Sequence, residues 1–167
     1  MAGKNLSAFV RMARIIHQRN QAAHFLLVGD GPDRPTLTEL VAQHGLEGRF
    51  IFTGYASHVG RWLSAMDVFL FPSLSEGLGL SAIEAQVLGI PVVGYSIPGL
   101  TEAVAHPDLL VTPGDEEAAA LQAAELLGDP ARRASLALSA RSWTERFSQS
   151  AFQCTLEHVY SDNAGTD

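Results

Sequence analysis

The chain has 167 residues, 47% of them apolar and 17% charged, which is the size and composition of one globular domain and excludes a disordered or fibrous chain. Eleven Lys and Arg against eighteen Asp and Glu leave a net charge of −7, which argues against a general nucleic-acid binder, because neutralising phosphates requires a basic surface. No apolar run approaches the roughly 18 residues of a membrane span, Met1-Ala2-Gly3-Lys4-Asn5 has no apolar signal-peptide core, and the single Cys154 forms no internal disulfide, so a soluble cytoplasmic protein is expected.

Along the chain, helical and strand patterns alternate. Leu6, Phe9, Val10, Ala13 and Ile16 keep helical spacing, with Asn5 as the expected N-cap. His24 to Val28 is a short apolar run closed by Gly29-Asp30-Gly31-Pro32, a buried strand ending in a turn. Leu37, Leu40, Val41 and His44 make a second helix face, stopped by Gly45. Phe50 to Thr53 reads as a strand closed by Gly54, Val59 to Ala65 as a short helix, and Val68 to Phe71 as a strand ended by Pro72. A helix with the face Leu80, Ile83, Val87 and Leu88 ends at Gly89, ahead of strands at Val92 to Tyr95 and Leu109 to Val111. Three closing helices are marked by Ala118/Leu121/Ala124, by Leu136/Ala140/Trp143/Phe147, and by Phe152/Leu156/Val159/Tyr160, and Ser161 to Asp167 is read as a frayed tail.

Short, non-alternating apolar strands between amphipathic helices imply a parallel sheet covered on both faces, and right-handed crossovers make it doubly wound. Ligands of such sheets bind beyond the carboxyl ends of the strands. One such end carries Pro72-Ser73-Leu74-Ser75-Glu76-Gly77-Leu78-Gly79-Leu80-Ser81-Ala82-Ile83-Glu84, a glycine-bearing turn running into a helix. Free N–H groups and the positive end of the helix dipole suit a pyrophosphate. Glu76 has no use in a site for free phosphate, whereas the hydroxyls of a nucleotide sugar ask for carboxylate acceptors, and Glu76 and Glu84 can border the same pocket. The same residues admit a plainer reading: Ser81-Ala82-Ile83-Glu84 fits a capping box, with Glu84 in the first helical turn, and Gly77 and Gly79 fit an ordinary turn.

Glu76-Gly77-Leu78-Gly79-Leu80-Ser81-Ala82-Ile83-Glu84 resembles the Glu-x7-Glu motif of retaining glycosyltransferases with the GT-B architecture, the group 1 glycosyl transferases. The likeness extends through Lys4-Asn5, Val28-Gly29-Asp30-Gly31-Pro32, Phe52-Thr53-Gly54, Asp67-Val68-Phe69-Leu70-Phe71-Pro72-Ser73, Gly89-Ile90-Pro91-Val92-Val93 and Gly99-Leu100-Thr101-Glu102, in the family's order. It implies a Rossmann-like fold, the C-terminal half of a GT-B enzyme, with residues 1–160 as the nucleotide-sugar (donor) binding domain. It also implies roles. Glu76 holds hydroxyls of the transferred sugar, Lys4 neutralises the departing phosphate, and the backbone of Gly77, Leu78, Gly79 and Leu80 faces the phosphates or the sugar. Glu84 accepts from the ribose, Gly54 and Tyr55 lie beside the nucleobase, and Gly29 and Gly31 shape the neighbouring turn.

No cofactor and no metal are expected; the ligand is the substrate itself, a nucleotide sugar such as a UDP- or GDP-sugar. The six histidines show no nucleophilic partner, and Arg132-Arg133 is read as a solvated patch. Against the family pattern, the first strand of the donor domain and its Gly-Arg-Leu-like turn have no counterpart. Nor has the N-terminal, acceptor-binding domain, so the chain is expected to be inactive alone. Three arrangements follow: a donor domain separated from its enzyme, a subunit of a split glycosyltransferase completed by a partner chain, or a non-catalytic nucleotide-sugar binding domain. The missing strand leaves a central gap, to be closed by its neighbours or by a second copy in a homodimer.

Overall fold

The computed structural model describes residues 2–148. The expected helix around Phe152, Leu156, Val159 and Tyr160, the tail from Ser161, and Cys154 and His158 lie outside the described residues. The first helix, α1, runs over Leu6–Arg19 and is followed by β1 at Phe25–Leu27, α2 at Arg34–Gln43, β2 at Phe50–Phe52 and α3 at Val59–Leu63. The second half contains β3 at Phe69–Phe71, α4 at Leu80–Val87, β4 at Val92–Tyr95, α5 at Leu100–Ala103, β5 at Leu110–Val111, α6 at Glu116–Gly128 and α7 at Pro130–Thr144.

Every strand pair is parallel, and the apolar runs are therefore strands covered by helices, the Rossmann-like arrangement expected from the alternation. The sheet, however, is in two parts. β1 pairs with β2, placing Phe25 beside Phe50, and β3, β4 and β5 form a separate trio, placing Phe69 beside Val92 and Gly94 beside Leu110. The neighbours of the central gap thus do not close it. A strand with partners on both sides buries fully, and β4 does; β1 and β3, paired on one side only, retain half-buried residues.

The two parts share one apolar core. α1 packs against α6 and α2, and its Phe9 meets the rings of Phe25 and Phe50 edge-on at 6.4 and 5.7 Å. Arg11 of α1 grips the carboxylate of Glu116 with two hydrogen bonds of 2.8 and 2.6 Å, a bidentate geometry that fixes α1 on the first turn of α6.

Local departures from the sequence reading have identifiable causes. Asn5 stands at the start of α1, but in the left-handed conformation (φ 49°), and its side chain caps nothing. α2 ends as expected at Gly45, where Leu46 N–H donates to Val41 O at 3.0 Å and Gly45 N–H to Ala42 O at 2.9 Å, a Schellman closure. α4 buries Ala82, Ile83, Ala85 and Gln86, while Leu80 and Val87 are 66% and 54% exposed, so three of the four residues of the expected face point away from the core. Small Ala82 and Ala85 bring α4 close to the sheet, and Gln86 is buried because its amide is fully used. It donates to Ala82 O and Ala103 O at 3.0 and 2.9 Å and accepts from Ala105 N–H at 2.7 Å. Arg133 is not a solvated residue either: it donates to the carbonyls of Leu126 and Leu127 at 2.6 and 2.9 Å, closing the C-terminus of α6, and pairs with Asp67 at 3.2 Å.

Candidate functional site

The carboxyl ends of β1, β2 and β3 carry three turns: 28–33, Thr53–Ala56 and Pro72–Gly79. Gly29 N–H donates to Gly54 O at 3.1 Å, which ties the first turn to the second. Leu74 N–H donates to Gly3 O at 2.9 Å, which ties the third to the short 3-10 turn Ala2–Lys4. That bond brings the start of the described chain across the end of β3.

Lys4 and Glu76 consequently meet: Lys4 Nζ lies 2.6 Å from Glu76 Oε1, and the ammonium also stands 5.7 Å from the ring centre of Phe71. Only 13% of the Glu76 side chain is exposed, against 48% of Lys4. Burial pushes the Glu76 carboxyl upward, but the hydrogen bonds from Lys4 and Ser73 and the attraction of the ammonium outweigh it, holding the group below the usual carboxylate range. Because the folded carboxyl is the stronger acid, the pair's stabilisation is complete above about pH 4.3, the unfolded value, and is lost as the pH falls through the folded one. Lys4→Met is therefore expected to melt below the wild type at neutral pH and to converge on it as the solution is acidified. Thermal melts of both proteins between neutral pH and pH 3 check this. A constant gap down to the lowest pH would sever the link to Glu76.

After Glu76 the chain reaches Gly79, whose left-handed conformation (φ 61°) sets up the start of α4 at Leu80. Ser81 is thus the second helical residue and Glu84 the fifth, and the expected capping box is not formed: no side chain caps this helix. Glu84 sits one turn inside it, exposed, with no hydrogen bond or ion pair among the described residues. The N–H groups of Leu78, Gly79, Leu80 and Ser81 likewise donate to no group of the described residues, leaving a run of free donors at the positive end of α4.

A cavity of about 520 Å³ opens at these carboxyl ends and continues down between β1 and β3. Lys4, Gly29, Gly31, Tyr55, Ser73 and Ser81 line it. Tyr55, beside Gly54, is 87% exposed, an aromatic ring free to stack on a planar ligand. Lys4, Tyr55 and the α4 entrance are thus brought to one opening. Glu76 joins through its ion pair with Lys4, and Glu84 stands apart from that pair.

Sequence reasoning missed several features. Arg34, a second cation on the cavity wall, lies over the Phe52 ring at 4.5 Å; its place at the start of α2 gave no signal. Gly99 stacks under the loop, its α-carbon so close to Glu76 and Gly77 that a methyl group there would run into the Gly77 carbonyl oxygen and come within 2.9 Å of that of Glu76. His106 does have a hydroxyl neighbour, Ser139 Oγ at 2.9 Å from its Nε2. That hydroxyl also lies 3.1 Å from Leu136 O, and no carboxylate bonds the imidazole among the described residues, which makes the contact a helix-packing one. Among the described residues no three His, Cys, Asp or Glu side chains are grouped to hold a metal ion, and no helix is long and apolar enough to cross a membrane.

Comparison with known proteins places this geometry. The family described as Glycosyl transferases group 1 matches residues 1–129. A 2-deoxystreptamine N-acetyl-D-glucosaminyltransferase of Streptomyces fradiae is 40% identical over 141 residues, covering 81% of this chain and 34% of that protein. An N-acetyl-alpha-D-glucosaminyl L-malate synthase of Bacillus anthracis is 34% identical over 143 residues, covering 84% of this chain and 38% of the relative. Among solved structures, a sucrose-phosphate synthase of Thermosynechococcus elongatus superposes with a TM-score of 0.85 at 27% identity, over 100% of this chain and 44% of its own. The chain thus spans between a third and two-fifths of the length of the two sequence relatives.

Proposed function

We propose that this chain, which belongs to the group 1 glycosyl transferases, is the donor-binding part of an enzyme that transfers a sugar from a nucleoside-diphosphate sugar to an acceptor with retention of configuration. The observation that carries the reading is the Lys4–Glu76 contact of 2.6 Å, at the mouth of the cavity and beside the free N–H groups of α4. A cation and open amides suit a diphosphate; a partly buried carboxylate suits sugar hydroxyls.

In this reading the bond between the anomeric carbon and the diphosphate breaks with its electron pair on the phosphate oxygen. Lys4 and the backbone N–H groups of Leu78, Gly79 and Leu80 stabilise the charge that develops there, donors fixed before the reaction begins. Gly77 lies between the carboxylate and the amides. Glu76 accepts from the sugar hydroxyls and sets the position of the anomeric carbon. Glu84, exposed and without a partner, is free to accept from the ribose, and the nucleobase lies along Gly54 and Tyr55. The Glu-x7-Glu spacing then spans the ligand from sugar to ribose.

The test is a thermal melt with UDP-, GDP-, ADP- and dTDP-sugars. A ligand at a hundred times its dissociation constant stabilises by about 2.7 kcal/mol, or roughly 5–10 °C for a domain of this size. A rise with the sugars of one nucleotide is the expected result; no rise with any of them removes the reading. The length relation to its relatives favours an acceptor-binding part supplied by further polypeptide, in the same chain or as a separate subunit. Recovery of transfer activity on adding such a subunit would identify the split arrangement.

A further inference from the structure

Arg34 is placed against the local electrostatics and has no counter-ion. It is the first residue of α2, at the positive end of the helix dipole, where a cation is unfavourable. Asp30 and Asp33 stand in the same turn, yet neither pairs with it. Asp30 Oδ1 accepts from Gly31 N–H at 2.9 Å, and the Arg34 guanidinium makes no hydrogen bond or ion pair among the described residues. What holds it is the ring of Phe52, whose centre lies 4.5 Å from the guanidinium carbon. A planar group resting on a ring keeps its N–H donors, which lie in its own plane, available at the edge.

The neighbouring turns decide which part of a ligand this edge meets. Gly29 N–H donates to Gly54 O at 3.1 Å and stands 3.2 Å from Thr53 Oγ1, so the turn leading into Arg34 is bonded to the turn that carries Tyr55. Arg34 and Tyr55 line the same opening. The donors suited to phosphate, Lys4 and the N–H groups at the start of α4, belong instead to the end of β3. Resting on the donor-site reading above, we propose that Arg34 is a specificity-determining residue of that site. Its edge donates to a carbonyl oxygen of the nucleobase that lies along Tyr55, and it selects uracil, thymine or guanine over adenine and cytosine. The reason is the sign of the exocyclic group. A guanidinium has donors and no acceptor. The first three bases carry an oxygen where the last two carry an amino group, and an amino group would set N–H against N–H.

Titration calorimetry of the 167-residue chain with UDP, GDP, ADP, CDP and inorganic pyrophosphate tests this. The expected result is that UDP or GDP binds about tenfold or more tighter than both ADP and CDP, the scale of a hydrogen bond from a charged donor. Arg34→Met removes every donor and is expected to abolish that preference by weakening the keto nucleotide alone. Pyrophosphate binding, unchanged in the variant, reports that the site is still folded. Arg34→Lys keeps the charge without the planar fork, and is expected to lose the preference too. Equal weakening of all five ligands would make Arg34 a phosphate contact, and full recovery with lysine would reduce it to a diffuse charge. Either result overturns the proposal, as does a wild type that favours ADP or CDP, or a preference that survives in Arg34→Met; all of these leave the donor site standing. A wild type that binds none of the nucleotides removes the donor site and this assignment together.

Discussion

Gly99→Ala is expected to lower the melting temperature by about 8–16 °C and to abolish any shift by a nucleotide sugar. Gly99 has φ 80° and ψ −44°, a conformation that side-chain-bearing residues rarely adopt. Forcing alanine into it costs roughly 1–3 kcal/mol. The added methyl also collides with the Gly77 carbonyl, and overpacking against backbone adds about 1–3 kcal/mol. A total near 4 kcal/mol, at roughly 2–4 °C per kcal/mol for this size, gives the stated fall. The loss of binding is a separate consequence, since relief of the collision moves Glu76 and Gly77 themselves. Calorimetry of the variant with and without ligand checks both. A variant melting within a degree or two of the wild type would mean that the 76–79 loop stands without Gly99 beneath it.

Glu76→Gln separates two roles that the ion pair alone leaves merged. If the carboxylate receives sugar hydroxyls, the isosteric amide loses charge-assisted hydrogen bonds worth about 1.5–3 kcal/mol, and the nucleotide sugar binds roughly 10- to 150-fold more weakly. The parent nucleoside diphosphate has no sugar to lose. Its affinity is expected to hold or to rise a few-fold, because Lys4 is released from a half-exposed ion pair of the kind worth at most about 1 kcal/mol. Titration calorimetry with the two ligands gives the ratio directly. Were Glu76 only an anchor for Lys4, both affinities would change together, and the assignment to the sugar would fail.

The strands and turns of this fold were legible because each is local. A short apolar run closed by glycine identifies β1 and β2, and one closed by Pro72 identifies β3, without knowledge of their neighbours. The buried face of α4 was not, because what buries Gln86 is a pair of backbone groups at Ala103 and Ala105, far along the chain. Ser81-Ala82-Ile83-Glu84 matched a capping box in spacing, yet Gly79 begins the helix two residues too early for it. Lys4 and Glu76 illustrate the general limit. Seventy-two positions separate them, and no periodicity connects them; only the resemblance to a family placed both in one site, and the bond from Leu74 to Gly3 is the physical reason that they meet. The division of the sheet lay between these extremes: a central gap was readable from the family's strand order, but not whether its walls would collapse together.

The ring of Phe9, wedged against Phe25 and Phe50 while α1 lies along α6, gives the divided sheet its mechanical character. Hydrogen bonds fix register within each part, whereas the parts share a core of side chains gathered on α1, which the Arg11–Glu116 pair holds on α6. α1 is then a spine to which two leaves are bound. The cavity lies between these leaves, and the backbone bond from Leu74 to Gly3 ties the turn after β3 to the residues that lead into the spine.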